Sequence, residues 1–173
     1  MQQGNYYLRR EDRNDLPQDI AKAHLHFSQA LGYLRFLSDA DHEDYTDVYK
    51  KLMNVEERMS YIRRFSLTER VRHLEEAMKY SSLAIDNAVP LGKVGRLAQL
   101  EFEQACLKAR EVELDAQKGI EVQKVYRKRD EVLQSIDRAL DELRSSEPSK
   151  RDEAERWARN CRHRLENKLK IKG

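Results

Sequence analysis

The sequence is poor in the residues that break or staple a chain. Three Pro and six Gly among 173 residues are too few for a protein of many short strands and tight turns, which needs such residues at each reversal. Two cysteines, Cys106 and Cys161, cannot make a disulfide framework. Each falls where a helical pattern takes a small apolar residue, so both are expected as reduced core thiols. No run approaches the ~20 apolar residues that a membrane-crossing helix needs, and the opening MQQGNYYLRRED lacks the apolar centre of a signal peptide. Together these absences predict no membrane partner and an intracellular location, cytoplasmic or nuclear.

What the chain has in abundance is charge. Charged residues make up 37% and hydrophobic residues 39%, the balance of long helices with one solvated face. The expected fold is all-α: about six antiparallel amphipathic helices forming helical hairpins, in a repeat array or a bundle. Residues 1–18 are polar and read as an N-terminal arm, and 19–173 as a single helical-repeat domain, a length that supports one compact core.

Apolar spacing places the helices. Ile20, Ala23, Phe27, Ala30, Leu31 and Leu34 recur at three and four, which makes one stripe on a helix from about Asp19 to Leu37, entered through Pro17. Ser38 to Asp41 reads as turn and cap. Tyr45, Val48, Tyr49, Leu52, Val55, Met59 and Ile62 then repeat the spacing. Ser66 with Glu69 is a capping box that starts a third helix, and Pro90 with Gly92 interrupts the pattern before it resumes at Val94. From Val94 to Leu143 only Gly119 breaks the pattern, at a cost of about 1 kcal/mol in a helix interior, and a turn is predicted at Lys118 and Gly119. The alternative is one helix of about 50 residues, roughly 75 Å long. Pro148, then Ser149 with Asp152, signals the last helix. Its apolar face is Ala154, Trp157, Ala158, Cys161, Leu165 and Leu169, with Trp157 expected as the core anchor.

The helices resemble one another. Ala23, Phe27, Ala30, Leu31 and Leu34 align with Ala77, Ser81, Ala84, Ile85 and Ala88, and again with Val132, Ile136, Ala139, Leu140 and Leu143, at offsets of 54 and 55 residues from Ala30 to Ala84 to Ala139. A fixed period with one helical pair per unit is the mark of stacked repeats. The spacing Ala23-x3-Phe27-x2-Ala30 resembles the second-helix signature of tetratricopeptide repeats, and Ala77 with Ala84 resembles it more loosely. The unit is longer than the family's ~34 residues, and the family's first-helix Trp, Leu-Gly and Tyr are absent. The resemblance implies a non-catalytic adaptor or scaffold that receives a partner segment in a groove between helices.

Two surfaces stand out as candidates for that contact. At 100° per residue, Val94, Ala98, Phe102, Ala105, Ala109, Val112 and Ala116 share one face of the fourth helix, while Leu100, Leu107 and Leu114 occupy the opposite face at intervals of seven. Such a helix is either sandwiched within the fold or open on its leucine side to a protein partner or a second copy. The second surface is the terminal helix. From Arg156 to Gly173 seven Lys or Arg face one acid, Glu166, for a net +6. Arg156, Arg159 and Arg162, with His163 and Lys170, lie opposite the apolar stripe. This ridge supports the alternative reading, a nucleic-acid-associated factor contacting phosphates, although no aromatics interleave on it to stack bases.

Chemistry finds little purchase. His24 and His26 point to different faces, while His42, His73 and His163 stand singly, so no helical pair of metal ligands forms. The segment Pro90 to Gly95 lacks the length and the Lys-Ser/Thr of a phosphate loop and reads as a turn. Neither cysteine has a local His partner. The expectation is no cofactor, no metal and no enzyme.

Overall fold

The computed structural model describes residues 17–37 and 39–169. Most of the polar arm, Ser38 in the expected turn, and Lys170 and Lys172 of the basic tail lie outside the described residues. Six α-helices carry the fold, with no strand among the described residues, so the chain is all-α. It divides into two compact units, Met1–Gly92 and Lys93–Gly173.

The first unit comprises α1 (Pro17–Leu34), α2 (His42–Ser60) and α3 (Leu67–Ala88), closed by a 3-10 turn Val89–Leu91. Two capping boxes set its helix starts. The Asp44 N–H donates to Asp41 Oδ1 at 3.0 Å and the Asp41 N–H to Asp44 Oδ2 at 3.4 Å. The predicted box at α3 forms in the same reciprocal way, with the Glu69 N–H on Ser66 Oγ at 3.2 Å and the Ser66 N–H on Glu69 Oε2 at 2.7 Å. Each cap is worth about 1 kcal/mol. α2 and α3 pack along their length as a hairpin, and α1 lies against α2. Ile20, Ala23, Phe27 and Leu31 are buried from α1, as are Val48, Leu52, Val55 and Met59 from α2 and Leu74, Ala77, Ser81 and Ala84 from α3. The expected first helix is cut short at Leu34. Beyond it the Phe36 and Leu37 N–H groups donate to carbonyls three residues back, Tyr33 at 3.0 Å and Leu34 at 3.2 Å, which tightens the end into 3-10 geometry.

The second unit comprises α4 (Val94–Gln117), α5 (Val122–Ser146), a 3-10 turn Pro148–Lys150 and α6 (Arg151–His163), which runs into a π-helical turn Arg164–Lys168. The predicted break falls where Gly119 marks it. α4 ends at Gln117 and Gly119 takes φ 74°, a left-handed conformation that glycine adopts without steric cost. The single 50-residue helix does not occur. α4 and α5 form an antiparallel hairpin with α6 laid against both. Their core joins Ala98, Phe102, Ala105, Ala109 and Val112 of α4 to Val132, Ile136 and Leu143 of α5 and Ala154, Ala158, Cys161 and Leu165 of the terminal segment.

Three sequence expectations are corrected here. Ser149 does not cap α6; it lies inside the 3-10 turn and its hydroxyl donates to Glu147 Oε1 at 2.7 Å. An N-cap needs extended backbone, and Pro148 instead leads the chain into a helical turn. Gly95 is not a turn residue. It sits in the first turn of α4 where α5 ends, so an added Cβ would collide with Glu147 Oε2 and lie 3.1 Å from the Ser146 carbonyl. Trp157 is not the core anchor, because it is 41% exposed. The buried α6 seam includes Ala154, Ala158 and Cys161, and Trp157 is left at the rim.

Candidate interaction surfaces and a buried ionic knot

The fourth-helix leucines go inside. Leu100, Leu107 and Leu114 are each 1% exposed, and the opposite Ala/Phe face of α4 is buried in its unit's core. The terminal arginines divide. Arg156 and Arg159 are exposed and enter no ion pair among the described residues, whereas Arg162 donates from Nη2 to Asp137 Oδ1 on α5.

Arg159 and Arg162 line an open cleft between α5 and α6 with Arg144, Asp137, Asp141 and Glu155. Arg144 bonds Asp141 and Glu155, both at 3.0 Å. Three guanidinium groups against three carboxylates leave this cleft with no net charge. A duplex or single strand needs a surplus of cations to displace its counterions, and here the acids already occupy that role.

A second, small cleft, of about 30 Å³, opens on the other side of α6, against α4. Phe102, Leu143 and Ala154, all buried, line it together with Trp157, Gln99, Glu103, Glu153 and Lys150. Gln99 Nε2 donates to Glu103 Oε1 at 3.0 Å, which orients that carboxylate. Further along α4, Glu113 accepts from Arg110 Nη1 and from Arg164 Nε, each at 2.7 Å, tying the π-helical turn to α4.

In the first unit a polar knot sits inside the apolar seam. Glu56 of α2 is 5% exposed. Its Oε1 meets His24 Nε2 of α1 at 2.9 Å and its Oε2 meets His73 Nδ1 of α3 at 2.7 Å. Burial pushes the Glu56 carboxyl up, but the hydrogen bonds and charges of both histidines more than offset this and hold it below its ordinary value of 4.5. His24 Nδ1 also lies 3.5 Å from Ser28 Oγ, and the His73 ring stacks on Phe65 with centroids 5.2 Å apart. Each histidine spends a ring nitrogen on the carboxylate, which ties all three helices together. No group of three or more His, Cys, Asp or Glu among the described residues is arranged to hold a metal ion.

Sequence reasoning missed this knot because its members come from three helices. One signal was present: Glu56 lies between Leu52 and Met59 at the apolar spacing of α2, a position where a lone carboxylate is tolerated only when partnered.

The last feature is on the outside of α1. Leu25 is 56% exposed, Tyr33 72% and Phe36 90%, and Leu37 continues the set. At 100° per residue, Leu25 and Tyr33 lie about 80° apart on α1, roughly opposite Ala23, Phe27 and Leu31, and Phe36 and Leu37 follow in the turn beyond its end. The outer side of α1 and the turn after it thus leave four large apolar side chains exposed, Leu25, Tyr33, Phe36 and Leu37. In comparisons with known proteins the chain matches no family model, no curated protein and no solved structure.

Proposed function

We propose that the chain is a non-catalytic interaction module, an adaptor or scaffold, that holds a protein partner or a second copy of itself on the outer face of α1. The observation that carries this reading is the exposed row Leu25, Tyr33, Phe36 and Leu37. Isolated apolar residues on a surface are ordinary, but several along the outer side of a helix and the turn after it mark a contact surface, and spacing of this kind fits the apolar side of a partner helix. The tetratricopeptide-like array remains part of the proposal. What supports it is that equivalent positions of the three copies are buried, including Ala23 and Phe27, Ala77 and Ser81, and Val132 and Ile136. An intracellular setting is supported by two buried free cysteines and by the described residues containing no helix long and apolar enough to cross a membrane.

The nucleic-acid reading keeps Arg156 and Arg159, both exposed and without ion pairs among the described residues, in its favour. It ranks second because the neighbouring cleft is electrically balanced. The test of the leading reading is a Leu25→Asp/Phe36→Asp double variant, which keeps the wild-type melting curve because both positions are exposed. It is expected to lose the association that the wild type shows in sedimentation or affinity capture. A double variant that keeps every association of the wild type contradicts the proposal.

A further inference from the structure

The turn that joins α2 to α3 reads Arg63-Arg64-Phe65-Ser66-Leu67. Arg63, Arg64 and Ser66 are exposed, and neither arginine enters an ion pair among the described residues. From Arg58 to Thr68 the chain holds three arginines and no acid, so the turn carries +3. Among all the serines and threonines of the chain, Ser66 alone has a lysine or arginine both two and three positions before it. The backbone is also presented for capture. Arg63 to Phe65 lie between the two helices, and Ser66 itself has φ −58° and ψ 160°, an extended conformation of the kind in which a segment enters an enzyme's cleft.

We propose that Ser66 is a phosphorylation site for a serine kinase whose substrate cleft is lined with carboxylates, Arg63 and Arg64 supplying the charges which that cleft selects. Kinases discriminate among hydroxyls by such charge patterns, and a guanidinium meets a carboxylate at two points where an ammonium meets it at one. The step is transfer from ATP with magnesium. Ser66 Oγ bonds to the γ-phosphorus, the bond from that phosphorus to the oxygen of the departing ADP breaks, and the hydroxyl proton passes to the kinase's catalytic carboxylate. Access needs one local opening, because Ser66 Oγ accepts from the Glu69 N–H at 3.2 Å and donates to Glu69 Oε2 at 2.7 Å. A helix end releases such a cap without unfolding of the unit. The added phosphate takes the turn from +3 to about +1. The inference goes beyond the interaction module and does not depend on the outer side of α1. A Leu25→Asp/Phe36→Asp chain keeps Ser66 and both arginines, so the two claims fail separately.

The experiment incubates the full chain with ATP, magnesium and purified cyclic-AMP-dependent protein kinase, an enzyme of the acid-lined class, and maps the phosphate by peptide mass spectrometry. Phosphate on Ser66 is the expected result. Arg63→Gln/Arg64→Gln, which folds because both side chains are exposed, is expected to lower kcat/KM at Ser66 by about tenfold or more through the lost charge-assisted contacts. A synthetic peptide of residues 60–70 provides the fully open reference. Release of the cap slows the folded chain by up to about tenfold against this peptide, whereas a site that reacts only in the globally unfolded chain is slowed by about a thousandfold or more. Absence of phosphate on Ser66, a glutamine variant that loses less than about tenfold, or a folded chain more than roughly a hundredfold slower than the peptide overturns the proposal.

Discussion

Replacing Glu56 with Ala tests whether the buried knot holds the first unit together. The change deletes two hydrogen bonds to a carboxylate, at 2.9 and 2.7 Å. Hydrogen bonds to charged groups are worth about 1.5–3 kcal/mol each, and breaking a fully buried ion pair costs about 3–5 kcal/mol because a charge is stranded. Here the stranded groups are imidazoles, which can stay neutral, and the His24 and His73 side chains are 34% and 22% exposed, so water reaches them. The cost is therefore below the sum, about 2–3 kcal/mol. The sign with pH follows from the lowered carboxyl pKa. The folded state holds Glu56 below 4.5, so its contribution is fully present above the unfolded value and is lost as pH falls through the folded one. Urea unfolding followed by circular dichroism should show the variant weaker by ~2–3 kcal/mol at neutral pH, with the gap narrowing as pH falls below the ordinary carboxyl value of 4.5. An unchanged midpoint at neutral pH, or a gap that widens in acid, refutes the reasoning.

Three further outcomes follow from burial and close approach. Leu107→Asp places a carboxylate in a site 1% exposed and should abolish the native fold, seen as loss of cooperative melting; a well-folded variant would show that the leucine stripe is accessible. Trp157→Ala should cost ~1 kcal/mol or less, well under the ~3–5 kcal/mol of an emptied core aromatic, because its ring sits at a rim; a fall in stability of core size would place the ring inside. Gly95→Val should destabilise by about 1–3 kcal/mol through crowding against the Ser146 carbonyl at the α4–α5 closure, whereas unchanged urea stability would mean that the two helix ends separate freely.

Local chemistry made much of this fold legible. Ser66 with Glu69 needs only its own turn to cap, and Gly119 can take a positive φ without tertiary help, so both boundaries were readable. Ser149 carried the same signature but lost it to its neighbour, since Pro148 sets up a 3-10 turn in which the hydroxyl cannot face the helix start. The stripe on α6 gave the direction of Trp157 but not its depth, because depth depends on how near the neighbouring helices come. The knot of His24, Glu56 and His73 depends on the pairing of three helices and has no local pattern beyond the misplaced carboxylate. Leu25, Tyr33 and Phe36 were passed over for a related reason. One continuous apolar stripe already accounted for α1, and apolar residues outside it become meaningful only when the structure leaves them uncovered.

The measurement that bears most directly on the interaction-module account is amide hydrogen exchange of the full chain, free and in its associated state. Slowed exchange on association concentrated in the α1 segment from Leu25 to Leu37 is the predicted result, since docking there must shield those amides. Protection confined to other helices, with residues 25–37 exchanging at the same rate in both states, would contradict the account.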